Sequence, residues 1–176
     1  MEMTSRINCK AELSAVLIRA DGSRKALGVI SKRDLTTWWK RLLDRLRHDD
    51  CGIVTNAGVN YMASDFASGG VTPTISGFKF HDAGTGTGAA AVTDTALGIP
   101  WGGARVTGTP SNPTANQYRS VATISFTGTF AITEWGLFSA ATVGTLWDRR
   151  VFAAINVVNG DSIQFTYTLT VNAGGT

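Results

Sequence analysis

The chain has 176 residues, sixteen Lys/Arg against thirteen Asp/Glu for a net charge of +3, and two cysteines. That length suits one domain with a sizeable core. Two cysteines exclude a disulfide framework, and no apolar run reaches the roughly 18 residues of a membrane-spanning helix. Charge is unevenly spread: residues 1–50 hold eleven basic and seven acidic groups, whereas residues 51–176, rich in Thr, Gly and Ala, hold five and six. A body so poor in charge is expected of an ordinary Thr-rich β-domain, or of one that neighbouring subunits largely cover. The basic head has acids interspersed and reads as a solvated helix face, so nucleic acid is not expected as a partner. Cys9 and Cys51 lack metal-ligand spacing and are expected reduced, a single Cys9–Cys51 bridge being left open. The N-terminus has no signal-peptide apolar stretch, so the protein is expected to be made and kept in a cytoplasm, or to leave it by lysis.

Ala11–Ala20 fits a strand or a short helix, and Val16, Leu17 and Ile18 favour strand. Asp21-Gly22-Ser23 is a turn signal and Lys25–Ile30 a returning strand, which predicts an N-terminal hairpin. Asp34–Asp49 is the one strong helical pattern. Asp34 can act as N-cap, and Leu35, Trp38, Trp39, Leu42, Leu43 and Leu46 form an amphipathic stripe. Arg45, Arg47 and His48 suit its C-terminal end. The stripe packs on the core or docks on a partner, and Trp38, Trp39, Leu42 and Leu46 are the candidate partner contacts.

Cys51–Tyr61 reads as a strand-like or turn-like connector and Ile75–His81 as a strand. Asp82–Gly88, D-A-G-T-G-T-G, is neither a dinucleotide fingerprint nor a P-loop, so a tight glycine loop is expected. Pro100, Pro110 and Pro113 exclude a regular central strand from Gly98–Asn116, which reads as a long loop, in a structural protein an arm or an interface loop. Tyr118–Thr127 and Phe130–Phe138 alternate as strands around Thr127-Gly128-Thr129, a predicted hairpin, with Gly136 a candidate bulge. Trp147–Val158 and Ser162–Val171 predict a second hairpin around Asn159-Gly160-Asp161. In the last strand Ile163, Phe165, Tyr167, Leu169 and Val171 share the inward face.

Catalytic groups are scarce. His48 ends a helix pattern. His81 and Asp82 are neighbours on a strand and point to opposite faces, and no strand–turn–helix nucleophile elbow is present. No His/Cys cluster suggests zinc, and Asp82 with Asp94 lacks a calcium-loop pattern. Glu134, in the apolar run I-T-E-W-G-L-F, must be paired if buried, and Arg149 or Arg150 on the next strand can reach it. A structural ion pair is expected. The residues assign no catalytic, cofactor-binding or metal site.

From His81 onward the chain resembles a family of small virion proteins of tailed bacteriophages. The matching positions are Gly84–Gly86, Asp94 and Leu97, then Ile132, Glu134 and Gly136–Phe138, then Gly144, Leu146, Arg149 and Phe152, and finally Gly160–Leu169. The resemblance covers about the last hundred residues of the 176 and excludes the N-terminal hairpin and the Trp-rich segment. It implies a non-enzymatic accessory protein of the virion, made in the host bacterial cytoplasm and bound in many copies to itself and other virion proteins. Capsid cement, or an adaptor joining fibre to tail, is the implied role.

The expected fold is mainly β, an antiparallel β-sandwich or barrel of about seven to nine strands with one N-terminal amphipathic α-helix. The expected division is an attachment segment at 1–50 and a β-sandwich at 51–176. The alternative function is a glycan-binding β-module, with Trp101, Trp135 or Trp147 stacking on sugar.

Overall fold

The alternating strand near the C-terminus, β10 (Ser162–Gly174), lies in the middle of a sheet, with β1 (Arg6–Ile18) on one side and β7 (Gln117–Ser125) on the other. The structure is a computed structural model and describes residues 6–29, 53–68 and 77–174. Its ten described strands form two five-stranded antiparallel sheets. The first runs β2 (Arg24–Val29), β1, β10, β7, β6 (Thr109–Ser111). The second runs β3 (Ile53–Val54), β9 (Leu146–Val157), β8 (Phe130–Phe138), β4 (Phe80–Gly84), β5 (Val106–Thr107). The two layers face each other as a β-sandwich; no closed barrel forms.

Pairing explains why large inward side chains fit. Phe165 of β10 has Ala15 of β1 and Ala122 of β7 as its partners, and Tyr167 has Leu13 and Ser120. Small neighbours leave room for rings that reach across to Trp135, which stacks on Tyr167 at 5.5 Å between centroids. Leu13, Ile124, Ile132, Trp135, Leu137, Ile163 and Phe165 are fully buried, each stabilising by about 1.5–3 kcal/mol. Val171, expected inward with them, is 41 % exposed.

Residues 6–29 belong to the sandwich, which corrects the division of the chain at residue 50. β1 pairs with β10 over thirteen rungs and buries Ala11, Leu13, Ala15 and Leu17. The N-terminal hairpin itself forms as expected, around a turn with Gly22 at φ 83°.

Both later hairpins are corrected. β7 and β8 lie in different sheets, as do β9 and β10. The turns at 127–129 and 159–161 are arches from one layer to the other, and they lie side by side. Phe126 N donates to Asp161 O and Gly160 N to Phe126 O, both at 2.9 Å. The hairpin of this region is β8–β9. There β9 bulges twice, between the pairs Ile132↔Ile155 and Glu134↔Val151, and between Leu137↔Asp148 and Phe138↔Leu146. Gly136 is no bulge: it stays in register with Asp82 and Arg149, and a Cβ on it would lie 2.9 Å from Leu97 and 3.0 Å from Leu146.

The expected helix at Asp34–Asp49 lies outside the described residues. A different helix, α1 (Asn56–Ser68), replaces the connector expected at Cys51–Tyr61. Thr55 caps it, accepting from Gly58 N at 3.0 Å. Gly58 is needed because a Cβ there would meet the Trp147 ring and backbone at 3.0–3.1 Å. The strand expected at Ile75–His81 is Phe80–Gly84. Within the long segment 98–116, β5 and β6 are short edge pieces of opposite sheets, and Pro110 sits on the edge, where a missing amide costs little.

Candidate functional site

Several of the residues that carry the sequence pattern converge on one place, under the loop 85–99. Glu134 of β8 is fully buried there. Its Oε1 accepts from the amides of Gly86 at 3.0 Å and Ile99 at 2.7 Å, and its Oε2 from the amide of Gly98 at 3.0 Å. Arg149 of β9 donates to the same Oε2 through Nε at 2.9 Å and Nη2 at 2.7 Å. The guanidinium then reaches Asp94 Oδ2 at 2.8 Å and the carbonyl of Gly88 at 3.2 Å. Asp94 Oδ2 also accepts from Ala91 N, and Thr133 Oγ1 donates to Gly86 O. One carboxylate and one guanidinium thus hold both ends and the middle of the loop.

The surrounding pattern residues make this clamp fit. A Cβ on Gly84 or Gly86 would lie 2.5 Å from Glu134 Oε1. Leu97 seals the end of the loop against Phe138 and Leu146, over the space that Gly136 leaves open. Ile132, Leu137 and Phe152 belong to the main core. Gly144 and Gly160 take positive φ in their turns.

The electrostatics agree with a structural role. Burial alone would raise the Glu134 carboxyl, but donation from Ile99, Gly98 and Arg149 outweighs it and holds the group below the ordinary carboxylate value. Asp94 is likewise held low, burial being outweighed by the Ala91 amide and Arg149. Arg149 is raised, burial being outweighed by its two carboxylates. With five donors on its two oxygens, Glu134 has no lone pair left for proton transfer or for a metal.

Arg150, the other candidate partner of Glu134, points elsewhere. It pairs in register with Trp135, on the inner face, and donates to Ala11 O at 2.7 Å and to Asp148 Oδ2 at 3.4 Å. Asp148 shares that interior with Tyr167, whose hydroxyl accepts from Trp147 Nε1 at 2.8 Å. Burial raises both Asp148 and Tyr167. Sequence reasoning passed over this group; its signal was the run Trp147–Arg150, in which every residue is buried and alternation fails at the bulge.

Among the described residues, His81 and Ser120 form the one arrangement that resembles a nucleophile and its base, and its hydrogen bonds rule that use out. His81 Nε2 lies 2.8 Å from Ser120 Oγ, and Trp135 Nε1 donates to His81 Nδ1 at 3.2 Å. An indole N–H only donates, so Nδ1 is the acceptor and Nε2 carries the ring proton. A protonated Nε2 donates to Ser120 and has no lone pair to take its proton. Both residues are fully buried between the sheets, and burial lowers the imidazole to about 3. Asp82, on the opposite face, sits 3.4 Å from Arg105, a residue the sequence reading did not single out. Arg105 also lies over the Phe138 ring and donates to the carbonyls of Ala140 and Val143, which fixes the β8–β9 loop.

Among the described residues no group of three or more His, Cys, Asp or Glu side chains could hold a metal ion. No helix among them is long and apolar enough to cross a membrane. Cys9 is free and exposed. Trp38, Trp39, Leu42, Leu46 and Cys51 lie outside the described residues. Of the tryptophans put forward for sugar stacking, Trp135 and Trp147 are buried. Trp101 is half-buried, edge-packed on Phe126 and Phe130 at 4.9 and 5.6 Å. No family model matches the chain, and no curated protein or solved structure matches it either.

Proposed function

We propose that the protein is a non-enzymatic structural component of a tailed-bacteriophage virion. It is an accessory protein that binds the particle in many copies, as capsid cement or as an adaptor joining fibre to tail. One observation carries this reading. Seven of the residues behind the resemblance (Gly84, Gly86, Asp94, Leu97, Glu134, Gly136 and Arg149) meet in a single clamp that fixes a surface loop, with no free acid, base or nucleophile among the seven. A pattern of that kind specifies shape, and shape is what an assembly protein contributes. The low charge of residues 51–176 supports the same reading, since surfaces destined for burial against neighbours are depleted in charge. Its partners are copies of itself and other virion proteins, and its place is the virion.

The test is the mass of the purified protein by light scattering, alone and mixed with particles lacking it. A defined trimer, hexamer or larger ring that binds those particles is expected. A monomer without affinity for them overturns the reading and brings the glycan-binding module forward.

A further inference from the structure

The arch at 159–161 contains the chain's one Asn-Gly step, Asn159-Gly160. Such a dipeptide is among the most labile in any polypeptide, because glycine sets no side chain in the way of its own amide nitrogen. Once that nitrogen has given its proton to hydroxide, it attacks the asparagine Cγ. The new N–Cγ bond closes a five-membered succinimide, the Cγ–Nδ2 bond breaks, and ammonia leaves with a proton from water. Water then opens the ring at either carbonyl to give aspartate or isoaspartate, with nothing oxidised or reduced. Asn159 and Gly160 are both exposed, so burial does not keep water or hydroxide from them.

The nucleophile is nevertheless tied down. Gly160 N donates to the carbonyl of Phe126 at 2.9 Å, and Phe126 N returns a bond to Asp161 O at 2.9 Å. Phe126 is itself a core residue, 1 % exposed. Asp161 N donates to Val158 O at 3.0 Å and closes the turn, in which Gly160 has φ 88°, as a type II turn requires at its third position. The buried Asp161 carboxylate then fixes the turn to its surroundings. It accepts from Val158 N at 2.9 Å, from Ala20 N at 3.1 Å and from Arg19 Nη1 at 2.7 Å. The tip of the β1–β2 hairpin lies so close that a Cβ on Gly160 would sit 3.1 Å from Ala20 Cβ. To lose its proton or to swing onto Asn159, the Gly160 amide must first leave Phe126, and Asp161 opposes that movement. We propose that Asn159 is a modification site gated by the fold: the closed arch suppresses its deamidation, and local opening of the arch releases it. Isoaspartate adds a backbone carbon and a negative charge next to Asp161, so a converted arch does not close again in the same register. The inference does not depend on the virion reading.

The test follows the full chain and a free peptide of residues 156–163 side by side in mildly alkaline buffer. Deamidation at Asn159 is read by peptide mass spectrometry, and exchange of the Gly160 amide by NMR. Both reactions begin with loss of the same amide proton, so one opening gates both. In the folded protein deamidation is expected to run at least roughly tenfold slower than in the peptide, with Gly160 exchange slowed by a similar factor. Asp161→Ala should quicken both together, while amides of β8 and β10 keep their protection. Should that variant disturb β8 and β10, Arg19→Ala decides, with a smaller joint rise expected. Equal deamidation in chain and peptide overturns the proposal. So does a variant whose Gly160 amide exchanges freely while Asn159 stays as slow as in the parent, which would place the control in the Asn159 side chain and not in the bond to Phe126.

Discussion

Arg149 holds Glu134 by one oxygen. Nε at 2.9 Å and Nη2 at 2.7 Å both donate to Oε2, which leaves Oε1 to the amides of Gly86 and Ile99. The ion pair and the loop anchor are therefore one object: removing Glu134 strands the Arg149 charge and frees three loop amides, and removing Arg149 strands Glu134 and frees Asp94 and the Gly88 carbonyl. Glu134→Ala and Arg149→Ala should each destabilise by about 3–5 kcal/mol. In a double-mutant cycle read from urea unfolding, the two should couple by about 1–3 kcal/mol. Zero coupling would remove the pair from the account of the loop.

The glycines beneath the clamp give a graded test. A methyl group on Gly84 meets Glu134 Oε1 and the Ile99 carbonyl, both at 2.5 Å, and one on Gly86 meets Glu134 Oε1 at 2.5 Å. Gly88, two residues on, has nothing within 4 Å. Gly84→Ala and Gly86→Ala should cost about 1–3 kcal/mol through forced displacement, and Gly88→Ala should stay within about 0.5 kcal/mol of the parent. Limited proteolysis at 85–99 should quicken for the first two only. Equal cutting of all three would show that the loop is not held by Glu134.

How far the sequence disclosed this structure depends on which signals side chains carry. The alternation of Ile163, Phe165, Tyr167 and Leu169 exposed β10, because a half-buried strand writes its period into residue type. Glu134 was legible as a carboxylate in an apolar run beside two arginines. That Arg149 is the partner and Arg150 is not follows from strand phase: Arg149 pairs with Gly136 on the loop side, and Arg150 with Trp135 on the core side. The donors from Gly86, Gly98 and Ile99 are backbone amides, and nothing in their side chains announces them. The arches at 127–129 and 159–161 read as hairpins because a short polar turn looks the same whether the next strand stays in the layer or crosses it. Helix α1 was hidden by Asn56, Gly58 and Asn60, all poor helix formers, of which Gly58 lies against Trp147. The boundary at residue 50 followed the charge, whereas the fold follows the pairing of β1 with β10.

Stability should fall with acid in two separable steps. His81 is buried neutral and lowered from 6.5 to about 3. Its folded pKa lies below its unfolded one, so its contribution is complete above about pH 6.5 and drains away as pH falls toward 3. By pH 5 the loss is about 2 kcal/mol. Glu134 and Asp94 are also lowered, and their contribution disappears only as pH falls below the ordinary carboxylate range. His81→Leu lowers stability at pH 7 because Trp135 loses its acceptor and Ser120 its donor, yet it should abolish the pH 6.5–5 slope of the urea midpoint and keep the steeper loss below pH 4. An unchanged upper slope would assign the titration to another group.

Val143 tests the one non-glycine backbone angle of positive sign among the described residues. It sits in the β8–β9 loop at φ 57°, followed by Gly144 at φ 71°. It is 88 % exposed, so no packing compensates. A β-branched side chain in this region carries a cost of about 1–2 kcal/mol, which Asn largely avoids by local hydrogen bonding. Consecutive positive φ values are also what an Asn-Gly turn adopts most readily. Val143→Asn should therefore raise stability by about 0.5–1 kcal/mol, read as a higher thermal midpoint. The Arg105 bond accepted by the residue's carbonyl survives the change, because it belongs to the backbone. A lower midpoint would mean that the exposed Val143 side chain is held by a contact beyond the chain's own fold.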